Sequence, residues 1–218
     1  MDLFGFGAKR SMVSPDKALP GHPEPVFQTP DVHAVLGSSL RGPWSATTAS
    51  IYLAMGCFWG AEEIYWRIGG VVSTSVGYMG GFTPNPTYEE VCTGLTGHTE
   101  AVHIAYEPSQ VTTLEILRAF WEQHDPTQGY RQGNDIGTQY RSAIYWTTDE
   151  QRELAERTAA AFQRVIAERG YGDITTEIAP ASSFTYFLAE DYHQQYLYKV
   201  PNGYRCHANT GLALPALV

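Results

Sequence analysis

Along residues 50–200 the hydrophobic positions follow two periods, and short apolar runs alternate with stretches in which apolar residues return every three or four positions. Residues 51–55 (IYLAM) form the first apolar run and predict a buried strand. In residues 58–68, Phe58, Ala61, Tyr65 and Ile68 share one face at helical spacing. A helix therefore starts at or beside Cys57. Residues 70–78 are rich in β-branched side chains and predict a strand. Gly80, Gly81, Pro84, Asn85 and Pro86 then mark a loop, followed by a short helical piece around residues 88–92. In residues 101–106, Val102, Ile104 and Tyr106 alternate with Ala101, His103 and Ala105, as in a strand.

Thr112 or Thr113 can cap a helix that turns Leu114, Leu117 and Trp121 inward and ends near His124. Residues 127–139 are polar and carry Gly129, Gly133 and Gly137; loops of that length are usually functional or disordered. Residues 140–146 return as a strand. Thr148 to Gln151 has the capping-box form and opens the longest helix, to about Arg169, with a stripe of Leu154, Thr158, Ala161, Phe162 and Val165. Residues 173–178 predict a last strand and residues 189–200 a partly helical segment, before a glycine-containing tail. This order predicts an α+β fold: a two-layer α/β sandwich with helices on one face of a mixed sheet, a ferredoxin-like plait. Six of the 13 prolines fall in residues 1–50. That density predicts an irregular N-terminal arm over residues 1–49, with Val26, Phe27, Val35, Leu36 and Trp44 as candidate anchors, beside one catalytic domain over 50–218.

Composition narrows the function. A net charge of −9 argues against nucleic acid and anionic membrane as partners. No run of 18 apolar residues exists, and the first residues lack the basic start and apolar stretch of a signal peptide. The expectation is a cytoplasmic protein. Three scattered cysteines do not make a disulfide framework and point to reduced thiols.

Cys57 is the thiol of interest. It stands between glycine-flanked strand and helix, where backbone N–H groups and the helix dipole favour thiolate, whereas a free cysteine elsewhere is most simply core. The stretch Gly56-Cys57-Phe58-Trp59-Gly60 combines with Gly80 to Tyr88 (GGFTPNPTY), Gly97 to Glu100 (GHTE), Gly133 to Ser142 (GNDIGTQYRS) and Asp191 to Tyr196 (DYHQQY). Together, and in this order, these motifs closely resemble the peptide methionine sulfoxide reductase A family, over about residues 51–211; the arm resembles its long bacterial form.

The resemblance implies reduction of methionine S-sulfoxide, free or in proteins. Cys57 would be the nucleophile and Glu100 the acid, which requires burial to keep its carboxyl protonated. Tyr88 and Tyr140 would bind the sulfoxide oxygen. Phe58 and Trp59 would receive the S-methyl group, Asp135 in its glycine-bounded loop would help order the site, and His193 would serve through a structural hydrogen bond. The sulfenic acid left on Cys57 would condense with Cys206. Here Arg205 intervenes where family members have Gly-Tyr-Cys, shifting the thiol by one; Ala213 and Leu214 stand where some members carry a third cysteine. The implied cycle has two cysteines, no bound cofactor and no metal, and draws its electrons from thioredoxin (or from dithiothreitol in vitro). A monomer is expected, with Cys92 a buried structural thiol. The residues alone also allow a cysteine hydrolase of Cys57 and His193 with Asp191 or Asp135, a zinc site of the cysteines with histidines such as His207, or a module binding apolar side chains on Phe58 and Trp59. The hydrolase leaves Cys206 without purpose, the zinc site lacks ligand spacing, and the module explains neither Glu100 nor the thiols.

Overall fold

A computed structural model describes residues 11–206 and 208–217. The expectation drawn from residues 1–10, and His207 of the zinc alternative, lie outside the described residues. In chain order the elements are β1 (Ala49–Met55), α1 (Phe58–Trp66), β2 (Val71–Met79), α2 (Tyr88–Cys92), β3 (Thr99–Tyr106), α3 (Thr113–Gln123), β4 (Arg131–Gln132), β5 (Asp135–Ile136), β6 (Ser142–Trp146), α4 (Asp149–Glu168), β7 (Glu177–Pro180), β8 (Phe187–Leu188) and α5 (Tyr196–Lys199). A six-stranded sheet runs β7-β6-β1-β3-β2-β8, and β4 pairs with β5 in a separate ribbon. β1 is antiparallel to β3 and β6, and β2 to β3 and β8; only β6 and β7 run parallel. The middle strands β6-β1-β3-β2, crossed by α1 and α3, make the expected ferredoxin-like plait in an α+β sandwich.

Strand alternation decides the layers. Ile51, Leu53 and Met55 of β1, with Val102 and Ile104 of β3, meet Tyr65 of α1, Leu117 and Trp121 of α3, and Phe162 and Ile166 of α4 in the main core. The opposite face carries Ala54, Ala101 and Ala143, small residues that let Phe184 and Tyr186 of an irregular segment lie close. Among the described residues no helix is long and apolar enough to cross a membrane.

Several expectations shift. The buried stripe of α4 is Ala155, Thr158, Phe162 and Ile166, so Ala161 and Val165 stand only at its margin. The last long strand begins at Glu177, because the Gln163 side chain takes Ile174 N–H and the Pro126 carbonyl takes Thr175 N–H before a ladder can form. Tyr140 lies in a 3-10 turn, Thr138–Tyr140, ahead of β6. Of residues 189–200 only α5 is helical, and β8 had no sequence signal. In the arm, Val26 and Val35 are exposed and do not anchor it. His33 and Leu40 do: His33 is fully buried and donates from Nε2 to the Thr74 hydroxyl (2.8 Å), while its Nδ1 accepts Val35 and Leu36 N–H.

Candidate active site

β1 ends at Met55 and α1 starts at Phe58, so Gly56 and Cys57 make the whole turn between them. Gly56 has φ +90°, and a Cβ there would lie 2.6 Å from the Gln132 side chain. Only glycine allows that approach. Gln132 in turn accepts Asp125 N–H (3.1 Å) and donates to the Asp125 carbonyl (2.9 Å). The long glycine-bearing loop is thereby strapped against the turn that presents Cys57, which caps α1 and is buried.

Three successive residues leading into β3 each hold a different wall. His98 accepts Gly81 N–H at Nδ1 (3.1 Å), so its proton sits on Nε2 and is donated to the Thr83 carbonyl (2.7 Å). The Thr99 hydroxyl meets the carbonyls of Gln139 and Arg141 (3.0 and 3.1 Å). Glu100, 2 % exposed, accepts the Phe58 N–H at 3.0 Å, one of the free donors of the first turn of α1. Burial pushes its carboxyl up to about 8; the Phe58 N–H opposes this and the charge of Asp135 adds to it. At neutral pH Glu100 is therefore a protonated acid.

Cys57 does not behave as its helix-start position suggested. Burial, then the charges of Glu100 and Asp135, push its thiol well above the usual value, and the Trp59 N–H only partly offsets them. A helix terminus contributes on the order of 1 kcal/mol, less than the cost of desolvating a thiolate. With Glu100 protonated, the largest opposing charge is removed.

Aromatic rings surround this pair. Tyr88 opens α2, whose Thr87 and Glu90 cap it reciprocally, and its N–H donates to Glu190 Oε1 (2.8 Å). The phenols of Tyr88 and Tyr140 are both raised, by burial first and the Glu100 charge next, which puts both near that carboxyl as un-ionised donors. Phe58 is buried against Tyr78 and His193, with centroids at 5.9 and 5.4 Å. Trp59 stacks on Tyr196 at 3.8 Å and donates its indole N–H to His193 Nδ1 at 3.0 Å. His193 therefore carries its proton on Nε2, and burial lowers its pKa. Asp135, half-buried, accepts the Tyr204 hydroxyl (3.0 Å), and burial raises its pKa.

Five of the site residues line two separate openings, and Phe58, Glu100, Asp135 and Tyr140 line neither. Cys57 and Cys206 line one cavity of about 160 Å³ together with Glu63 and Arg205. Trp59, Tyr88 and His193 line another of about 530 Å³. Cys206 Sγ lies 3.7 Å from the Gln132 carbonyl. Arg205, the residue that displaces the thiol by one, grips Glu63 of α1 through Nε and Nη2 (2.7 and 2.9 Å). Cys92, the last residue of α2 and one turn beyond Tyr88, is half-buried rather than buried.

Sequence reasoning missed the carboxylates beneath these rings. Glu190 accepts both the Tyr78 hydroxyl and Tyr88 N–H (2.8 Å each). Glu62, fully buried, accepts the Thr74 hydroxyl (3.0 Å) and two N–H groups of Gln195 (2.8 Å each). The one available signal was a glutamate inside an otherwise apolar helix face. Among the described residues no three of His, Cys, Asp or Glu are grouped to hold a metal ion.

These groups set a pH dependence. Burial holds the Glu62 and Glu100 protons to about 7 and about 8, whereas the unfolded chain releases both near 4.5. From there up to those values the unfolded state binds fewer protons, so each contribution is lost as pH rises. Buried His33, His98 and His124, lowered to about 4, act in the opposite sense, but only below their unfolded value of 6.5. Stability should therefore fall between pH 6.5 and 8, by about 2 kcal/mol from Glu100 alone. Denaturant titrations across that range check it; a flat or rising curve would contradict the assignment.

The family model described as peptide methionine sulfoxide reductase matches residues 49–217. The chain is 50 % identical over 209 residues to the peptide methionine sulfoxide reductase MsrA of Corynebacterium efficiens, covering 96 % of each chain. It is 54 % identical over 215 residues to that of Salinispora tropica, covering 98 % of this chain and 96 % of the relative. Among solved structures, methionine sulfoxide reductase A of Corynebacterium diphtheriae superposes with a TM-score of 0.85 at 50 % identity, covering 94 % of this chain and all of that one (100 %).

Proposed function

The chain belongs to the peptide methionine sulfoxide reductase A family and is an oxidoreductase acting on methionine S-sulfoxide, and from that premise we propose how its residues carry the reaction. The observation that supports the reading best is Glu100: a carboxyl protonated at neutral pH, fixed on the N–H of the residue that follows Cys57.

The Cys57 sulfur attacks the sulfoxide sulfur while Glu100 protonates the oxygen, which would otherwise leave as an oxide. Tyr88 and Tyr140 donate hydrogen bonds to that oxygen. Phe58 and Trp59 receive the S-methyl group, and His193 fixes the Trp59 ring by accepting its N–H. Asp135, in its glycine-bounded loop, helps order the site. The oxygen ends on Cys57 as a sulfenic acid, methionine leaves as the thioether, and the proton that Glu100 gave is replaced by the one Cys57 lost. Cys206 then attacks the sulfenic sulfur, forming the Cys57–Cys206 disulfide and water. Thioredoxin, or dithiothreitol in vitro, returns two electrons and two protons by thiol–disulfide exchange. Residues 50–218 form the catalytic domain, and no bound cofactor or metal is required. The substrates are oxidised proteins and free methionine sulfoxide, met by a cytoplasmic monomer in protein repair and oxidative-stress defence.

Thiol counting tests this. One equivalent of methionine S-sulfoxide, added to reduced enzyme without reductant, should yield one methionine and consume two thiols. Loss of a single thiol would refute the disulfide step. The R epimer should consume none.

A further inference from the structure

The arm is held on both sides of residues 23–32. Ahead of them, Leu19 N–H donates to the Leu95 carbonyl, and the Leu19 and His22 carbonyls accept from Thr83 and Asn85. Behind them, His33 is buried on Thr74, and Ala34 N–H donates to the Gln195 side chain. The span between stands off the domain and leaves two adjoining hollows beneath it. The first is the cavity of about 530 Å³ where Val26 and Phe27 face Trp59, Tyr88 and His193. The second, about 600 Å³, lies between Pro25, Phe27 and Arg41 on one side and Tyr186, Phe187 and Leu188 on the other. Phe27 belongs to both.

The far wall of the second hollow is β8, the outer strand of the sheet. Ala189 N–H points at Val76 of β2, so by strand alternation Leu188 N–H points outward. An outer strand offers backbone groups to which an extended chain can pair, a mode that gives affinity without demanding a sequence.

We propose that this groove holds the polypeptide flanking a methionine sulfoxide, in extended form, between Val26 and Phe27 of the arm and the outer edge of β8. The inference rests on the reductase reading and adds a subsite that serves protein-bound substrate only. Its occupant is set by continuity: the hollow that receives a side chain at Trp59 and Tyr88 shares Phe27 with the second, which gives the neighbouring residues a path along β8. Main-chain pairing suits an enzyme whose substrates share an oxidised side chain and nothing else.

The test compares two substrates: N-acetyl-methionine-S-sulfoxide N-methylamide, and an unstructured peptide of roughly ten residues with one central methionine S-sulfoxide, long enough at about 3.3 Å per residue to cross both hollows. Wild type should turn over both and favour the peptide. Phe27→Ser should raise the peptide KM by about tenfold, the worth of one buried aromatic contact, with a much smaller effect on the capped substrate and none on kcat. Leu188→Pro, which removes the outward N–H but no ladder bond, should do the same. Equal losses on both substrates, or an unaltered peptide KM in both variants, would overturn the subsite. So would a variant whose KM rises for thioredoxin rather than peptide, since the groove would then take the reductant. If wild type reduces neither substrate, the reductase reading itself fails.

Discussion

Glu100→Gln should slow methionine formation in a single turnover by about two to four decades, the range for loss of a positioned acid. The substitution is nearly isosteric, and its side-chain carbonyl can still accept the Phe58 N–H at the 3.0 Å now held by Oε2. What it removes is a proton held to about pH 8 by burial. Without it the sulfoxide oxygen must depart with help only from the Tyr88 and Tyr140 phenols, which burial still holds un-ionised. Two readouts separate this from mere damage. In the wild type the rate should fall as pH rises through about 8, where Glu100 loses its proton; the variant should lack that limb. The stability lost between pH 6.5 and 8 should likewise shrink, because one of the two raised carboxyls has gone. A variant of near-native rate, or one that keeps the alkaline limb, would place the acid elsewhere.

How much of this could be seen beforehand depended on whether the cause was local. The β1–α1 turn was legible because its signals lie within a dozen residues: an apolar run, a glycine, then helical spacing. The alternation of Val102 and Ile104 was legible for the same reason, and both sit on the helix-facing side of the sheet. β8 was not, since Phe187 and Leu188 become a strand only by pairing with Tyr78 and Gly77, more than a hundred residues earlier. Hydrophobicity alone picked out Leu36, which packs on the core, but misjudged other anchors of the arm. Val26 and Val35 stay exposed while polar His33 is buried, because Thr74, Val35 and Leu36 satisfy both of its ring nitrogens. The Cys57 thiol was misjudged on the helix dipole, a short-range effect readable from position; desolvation depends on what packs around it, and that is tertiary. Glu62 and Glu190 escaped because each takes its partners from two distant places in the chain, Thr74 and Gln195 for the first and Tyr78 and Tyr88 for the second.

Cys206→Ser should still make about one methionine per enzyme and then stall. In the proposed mechanism attack and proton delivery need only Cys57 and Glu100, and serine cannot condense with a sulfenic acid to a disulfide. Thioredoxin-driven turnover should fall by about two decades or more, because a neighbouring thiol acts at an effective concentration that no external thiol matches. A small thiol such as dithiothreitol should partly restore it. The geometry favours Cys206 over Cys92 as the partner. Cys57 and Cys206 open on the same cavity of about 160 Å³, and Gly133, whose Cβ would come within 3.2 Å of Cys206 Sγ, leaves room on the loop side. The residue that shifts the thiol by one also fixes its approach: Arg205 clamps Glu63, one and a half turns along α1 from Cys57, with both guanidinium contacts at or below 2.9 Å. The pair is partly exposed, so its worth is modest. Cys92, by contrast, is bound to the Tyr88 hydroxyl at the end of a reciprocally capped helix. Peptide mapping of enzyme oxidised by one equivalent of sulfoxide should therefore find Cys57 joined to Cys206 and Cys92 still alkylatable. A Cys57–Cys92 bond, or full thioredoxin turnover in Cys206→Ser, would assign the second thiol differently.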